Sequence, residues 1–341
     1  MIKKLFLLFL VIIVLSLKAQ SINIQSTPTP KDIKPQIEIK GILYLTSPDT
    51  GKVVFLDLSD LSKINHIQTP GSPWEIAFDK LNKIIFVSDF AKDRLYKLKL
   101  HEKLIYETIE TGSKSGPRDI EVSEDGSIAF IVESLTNNFV VYNPKEKKNY
   151  FTKTKILKNP SNFAILKDPN LIAITHPNSN NIVFLNGNSF EQINQTKVDK
   201  VPERIIADPI RKLFYVTNRN GNSITIIDAS TMKIKNTIIT GETPISIALS
   251  EDGKYLYVGN AKSNTVNVID IESKETINTI ELPIETQFPG DVELTNNGKF
   301  LVVTSETTNK ISIIDLSSNK IAVKLDVGAT THAAYVVESN E

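Results

Sequence analysis

The chain has 341 residues, with 39 lysines and arginines set against 39 aspartates and glutamates, and it contains no cysteine. Balanced charge provides no long-range attraction to nucleic acid or to an anionic membrane, so neither is an expected partner. The lack of cysteine excludes disulfides, thiol nucleophiles, Cys-ligated zinc or iron–sulfur clusters, c-type haem attachment and a lipidated N-terminal Cys.

In chain order, Lys3 and Lys4 precede an apolar run over residues 5–17 that only Ser16 interrupts. As a helix this run rises ~20 Å, short of the ~30 Å hydrocarbon core. Ala19 offers a small residue for cleavage before Gln20. The pattern predicts a signal peptide over 1–19, a polar, proline-bearing leader over 20–36 and one domain over 37–341. An uncleaved anchor is the alternative. The expected location is periplasmic, cell-surface or secreted, with no membrane span after cleavage.

From residue 41 onward the signal is repetition. Prolines recur at Pro73, Pro117, Pro160, Pro202, Pro244 and Pro289, at intervals of 42 to 45 residues. Each opens four short runs of period-2 alternation rich in Ile, Val, Tyr, Phe and Thr, which is the unit of a β-propeller blade. Residues 41–68 supply only three such runs, without the first. Residues 328–337 match the start of a unit, with Thr331 in the proline's place. The expected fold is therefore all-β: a seven-bladed propeller of four-stranded antiparallel blades, closed by the C-terminal strand joining the N-terminal blade. Asp125-Gly126, Asp252-Gly253 and Asn297-Gly298 mark tight hairpins between first and second strands. Asp57, Asp228, Asp270 and Asp315 end third strands, where a carboxylate caps the following turn.

Tyr215-Val216-Thr217-Asn218 spells the signature of the YVTN β-propeller repeat family, and Tyr257-Val258-Gly259-Asn260 is a near copy. The chain resembles that family over about residues 41–337, most strongly over 200–328. The resemblance implies a seven-bladed propeller of the surface-layer or periplasmic type. It implies no single activity, because the architecture hosts interaction proteins, lactone-hydrolysing relatives and haem enzymes alike.

Chain direction alternates within a blade, so the proline loops and the loops between strands two and three share one face, here called the top. The second residues after the prolines (or after Thr331) should face the channel mouth: Glu75, Asp119, Asn162, Arg204, Ser246, Asp291 and Ala333. Just before them come Trp74, Arg118, Ser161, Glu203, Ile245, Gly290 and His332. The second strands end at Ser47, Asp89, Glu133, His176, Asn218, Asn260 and Ser305. One sector should then hold Glu75, Asp89, Asp119 and Glu133, with Arg118 and Trp74 nearby. Four carboxylates from adjacent blades suit a hard cation such as Ca²⁺, or raise one carboxyl toward general-base range. The plainer expectation is a solvated rim that Arg118 partly neutralises. His176 and His332 fall nearly opposite one another, too far apart to share a zinc. His66 and His101 fall on outer strands.

No Walker loop, dinucleotide fingerprint, H-E-x-x-H or G-x-S-x-G motif occurs. The leading expectation is a non-enzymatic, exported binding scaffold without a cofactor. Its top-face residues Trp74, Glu75, Asp89, Arg118, Asp119, Glu133, His176, Arg204, Asp291 and His332 would meet an envelope or extracellular protein, peptide or glycan. The alternative is a lactonase-like hydrolase with a divalent cation such as Ca²⁺ on Glu75, Asp119, Asn162 and Asp291.

Overall fold

The computed structural model describes residues 39–99, 104–143, 150–295 and 297–337; the predicted signal peptide, the leader and His101 lie outside these. Seven four-stranded antiparallel sheets form the blades. Ala334–Val337 pairs antiparallel with Ile42–Ser47, so among the described residues the last strand completes the blade whose other strands are the first three. That blade is numbered one, and blades two to seven follow in chain order.

Why each strand has its composition follows from what covers it. The second strand of blade five, Leu213–Asn218, is buried along its whole length. Leu213 and Tyr215 enter the apolar cluster shared with blade six. Phe214 and Val216, on the opposite side of the pleat, enter the cluster shared with blade four. Sheets covered on both faces leave no polar side in their middle strands. The outer strand Lys233–Ile239 has only one residue buried, and its Lys and Asn side chains deter edge-to-edge pairing. Each of the seven main apolar clusters joins two neighbouring blades, the one between blades seven and one included.

Gly126, Gly253 and Gly298 have φ near +60°, as their hairpins require. Asp228 Oδ1 accepts from the backbone N–H of Ser230 at 3.1 Å and Thr231 at 2.9 Å, the turn-capping role expected of these aspartates.

Tyr215-Val216-Thr217-Asn218 has a physical reading at every letter. The Tyr215 hydroxyl donates to Asp208 Oδ2 at 3.1 Å, and Val216 is core. Thr217 Oγ1 accepts from Arg204 N at 3.0 Å, and Asn218 Nδ2 donates to Thr225 Oγ1 at 2.8 Å. The hydroxyl position does more in other blades, where it clasps the neighbour. Thr46, Ser88, Thr175 and Thr304 donate to the backbone carbonyls of Trp74, Arg118, Glu203 and His332 in the next blade, at 2.7, 3.4, 3.0 and 3.0 Å. Each such bond contributes on the order of 1 kcal/mol net. Together they fix the backbone of the residues that ring the channel mouth.

Candidate functional site: the channel mouth

The inner strands carry a register shift just after the proline, between Pro73 and Ile76, Pro202 and Ile205, and Pro289 and Val292. A strict pleat sends consecutive side chains to opposite faces, whereas a bulge re-aims one of them. Consecutive residues such as Trp74-Glu75 and Glu203-Arg204 therefore line the same pocket, a depression of ≈ 180 Å³ over the channel. All seven residues that directly follow a proline or Thr331 take part in its wall.

The next residues in five of the blades, Glu75, Asp119, Asn162, Arg204 and Asp291, form the floor. Three of them reach the neighbouring inner strand. Asp119 Oδ2 accepts from Asn162 Nδ2 at 2.7 Å and Phe163 N at 2.8 Å. Asn162 Oδ1 accepts from Ile205 N at 2.8 Å, and Asp291 Oδ2 from Ala334 N at 3.1 Å. Arg204 breaks the pattern by crossing the channel. Its Nη1 meets Glu75 Oε2 at 2.8 Å, and its Nη2 lies 3.3 Å from Asp291 Oδ1. Burial disfavours its charge, but Glu75, Asp291 and Asp119 outweigh that and raise its pKa. Burial, reinforced by Glu75, pushes the Asp119 carboxyl up, with Arg204 opposing.

This geometry bears directly on the expected cation site. The guanidinium of Arg204 stands among Glu75, Asp119 and Asp291, and their oxygens are used by it and by backbone N–H groups. Arg204 thus places a cation of the chain's own against one oxygen each of Glu75 and Asp291. Among the described residues, no group of three or more His, Asp or Glu side chains is arranged to hold a metal ion.

Below the floor, the central channel has a volume of ≈ 360 Å³ and is lined by Glu121 and Glu293 among apolar side chains. Burial pushes both carboxyls up to about 8, with Asp119 adding to the effect at Glu121 and Asp291 at Glu293.

On the pocket wall, three side chains lie against one another, the two rings tilted by 46°. The Trp74 ring lies 4.3 Å from the His332 ring, and the Arg118 guanidinium lies 5.5 Å from the Trp74 centroid. Arg118 Nη2 also pairs with Glu203 Oε1 at 2.8 Å, to which Ser161 Oγ donates. His332 Nδ1 is 2.8 Å from Glu306 Oε1, and among the described residues its Nε2 has no hydrogen-bond partner. The backbone of His332 is held at both ends: its N–H donates to Thr46 O at 2.9 Å, and its carbonyl accepts from Thr304 Oγ1. Gly290 makes room for the pair. A Cβ there would lie 2.8 Å from Glu306 Cγ and 3.0 Å from Thr304 Oγ1.

The structure thus brings together Trp74, Glu75, Arg118, Asp119, Asn162, Arg204, Asp291 and His332. It does not bring Asp89, Glu133 and His176 to the rim, and those three expectations are corrected. Each turns into its own blade, and Asp89 and Glu133 brace the loop that follows. Asp89 Oδ1 accepts from the backbone N–H of Ser72, Ala91 and Lys92, and Oδ2 accepts from the Tyr96 hydroxyl. Glu133 is satisfied by Thr136, Asn138 and Lys153. His176 is fully buried beside the Lys158 carbonyl, and burial pulls its pKa down to about 4. His66 is exposed on its outer strand, as expected. The sequence reading missed Arg219 and Glu306, which line the pocket one residue beyond the ends of second strands. Glu203 stood in the right set without being singled out. Reading the position after each second strand, blade by blade, would have found the other two.

A family model described as "Lactonase, 7-bladed beta-propeller" matches residues 62–279 and 240–331. Among solved structures, the chain is similar to a functionally unknown protein from Desulfotomaculum acetoxidans DSM 771, with TM-score 0.74 and 17% identity. That match covers 87% of this chain and 99% of the other. It is also similar to Kuenenia stuttgartiensis hydrazine synthase, with TM-score 0.56 and 24% identity over 64% of this chain and 68% of that one. At such identities these two structures speak for the fold alone. No curated protein matches the sequence.

Proposed function

Because the chain belongs to the seven-bladed β-propeller lactonase family, we propose that the mouth pocket hydrolyses a lactone, using His332 as general base and no resident metal. The observation that carries this reading is the His332–Glu306 pair at 2.8 Å on the pocket wall. A carboxylate on Nδ1 fixes the imidazole tautomer and leaves Nε2 to handle a proton, the arrangement that general-base catalysis uses.

In this reading His332 Nε2 takes a proton from water, and the water oxygen bonds to the lactone carbonyl carbon. The ring C–O bond then breaks, and the leaving alkoxide recovers the proton from His332. Lactone and water give the hydroxy acid with nothing left over. Glu306 stabilises the transient imidazolium. Arg219 is exposed, lines the pocket and has no ion pair among the described residues, so it is the cation free to face the developing oxyanion. Trp74 supplies an apolar face for the ring. We place the activity outside the cytoplasm, on the strength of the charged and apolar pattern over residues 3–17.

The test is a pH-stat assay of the purified chain on a panel of γ- and δ-lactones. The expectation is turnover that falls by a factor of about 10² to 10⁴ in His332→Ala, the usual contribution of general acid–base catalysis. No turnover, or turnover indifferent to His332, overturns the reading.

A second reading, the exported interaction scaffold, is favoured by one observation. Ile239 and Ile284, at 73% and 71% exposure, lie on the top-face side of outer connections in blades five and six. Under that reading an extracellular or envelope protein docks over the mouth, and Ile239→Asp with Ile284→Asp abolishes its capture while lactone turnover is absent throughout.

A further inference from the structure

The wall formed by Trp74 and His332 has space on both sides. Beside the mouth pocket lies a second depression of ≈ 170 Å³, bounded by Pro48, Asp49, Thr330 and Thr331 and sharing Trp74, Glu306 and His332 with the first. The two compartments differ in character. The mouth pocket presents Glu75, Arg118, Glu203, Arg204 and Arg219. In the second, Asp49 lies at the exposed rim, where its Oδ2 accepts from Thr330 Oγ1 at 3.3 Å, and Glu306 holds His332. Away from that rim, Pro48, Trp74 and the two threonines supply its apolar surface. An apolar cavity of roughly 150 Å³ is enough to take a benzene ring.

We infer that the substrate is an alkyl- or aryl-substituted lactone, with its ring in the mouth pocket at His332 and its apolar substituent in the side compartment over Trp74. This rests on the hydrolytic reading above and names its substrate class. The reacting ring must stand where Nε2 reaches the carbonyl, and a substituent on the carbon next to the ring oxygen crosses the Trp74–His332 edge into the side compartment, whereas the Arg204–Glu75 ion pair stands between the mouth and the apolar walls of the channel. Burying each added methylene strengthens transition-state binding about two- to fourfold until the compartment is full.

The experiment uses the purified full chain and a series of γ-lactones carrying n-alkyl groups from methyl to heptyl, with kcat/KM measured for each. The expected result is a rise of about two- to fourfold per methylene that levels off near a six-carbon substituent. Thr330→Trp, which fills the side compartment, should collapse the hexyl-to-methyl ratio toward one. A flat series in the unmodified protein, with every lactone turned over, overturns this inference and leaves the hydrolytic reading standing. An unchanged chain-length preference in a folded Thr330→Trp also overturns it, because the substituent then lies elsewhere. Absence of turnover on every lactone overturns the hydrolytic reading and this inference with it.

Discussion

Arg204 Nη1 lies 2.8 Å from Glu75 Oε2, joining residues 129 positions apart across the top of the channel. Both residues line the mouth pocket and the channel beneath it, so their ion pair is the partition between the two spaces.

Removing the guanidinium strands the carboxylates around it. Arg204→Met is expected to destabilise the fold by about 3–5 kcal/mol, the usual result of deleting one partner of a buried pair. Adding Glu75→Gln should recover part of the loss. Urea unfolding of the two variants and the unmodified chain measures this; equal midpoints would show that Arg204 is not what neutralises the floor.

Gly290 is a close-approach glycine. A methyl at that position collides with Glu306 Cγ at 2.8 Å and crowds Thr304 Oγ1 at 3.0 Å. Glu306 must swing away from His332, so Gly290→Ala should lose lactone turnover to the level of Glu306→Gln. Steady-state kinetics of both variants, beside their thermal midpoints, tests the link. Full activity in Gly290→Ala would show that the His332–Glu306 contact is dispensable.

Glu121 and Glu293 have their pKa raised by burial to about 8, from 4.5. Between those values the folded chain binds more protons than the unfolded chain, so these two groups lower stability as pH rises through that window. Glu121→Gln with Glu293→Gln should remove that part of the slope and raise the thermal midpoint at pH 8–9 relative to the unmodified chain. Parallel pH profiles for the two proteins would contradict this.

His176 works in the opposite direction. Its folded pKa is lowered to about 4 from 6.5 by burial, so below pH 6.5 the unfolded state gains the proton first. Stability should fall on acidification between pH 6.5 and about 4, and His176→Asn should flatten that fall. Thermal midpoints across the interval measure it, and an unchanged acid limb would refute it.

How much of this was legible in the sequence depends on which residue one asks about. The prolines and the Asp-Gly turns mark backbone positions that only one register satisfies, so blade number, closure at Thr331 and the ring of Trp74, Arg118 and His332 could be read directly. Asp89, Glu133 and His176 could not be oriented the same way. In a pleat of period two, a one-residue difference in reading sends a side chain to the other face. The bulge after the proline, which puts both Trp74 and Glu75 at the mouth, carries no residue signature of its own. Nor does any local pattern say that Arg204 spans the channel while Asp119 and Asn162 bond sideways. Those outcomes depend on side-chain length: an aspartate reaches the adjacent strand, and an arginine reaches the far side.

The seam at Ala334–Val337 also sets the order of events in the life of the molecule. His332 is delivered to the pocket by the strand that closes the ring, and Thr46, from the first strand of the propeller, receives its N–H. Until that strand is made, blade one waits with an unpaired inner edge and the pocket lacks His332. A chain lacking that strand would lack His332 as well, so the activity proposed for the mouth becomes a certificate that the circle has been completed.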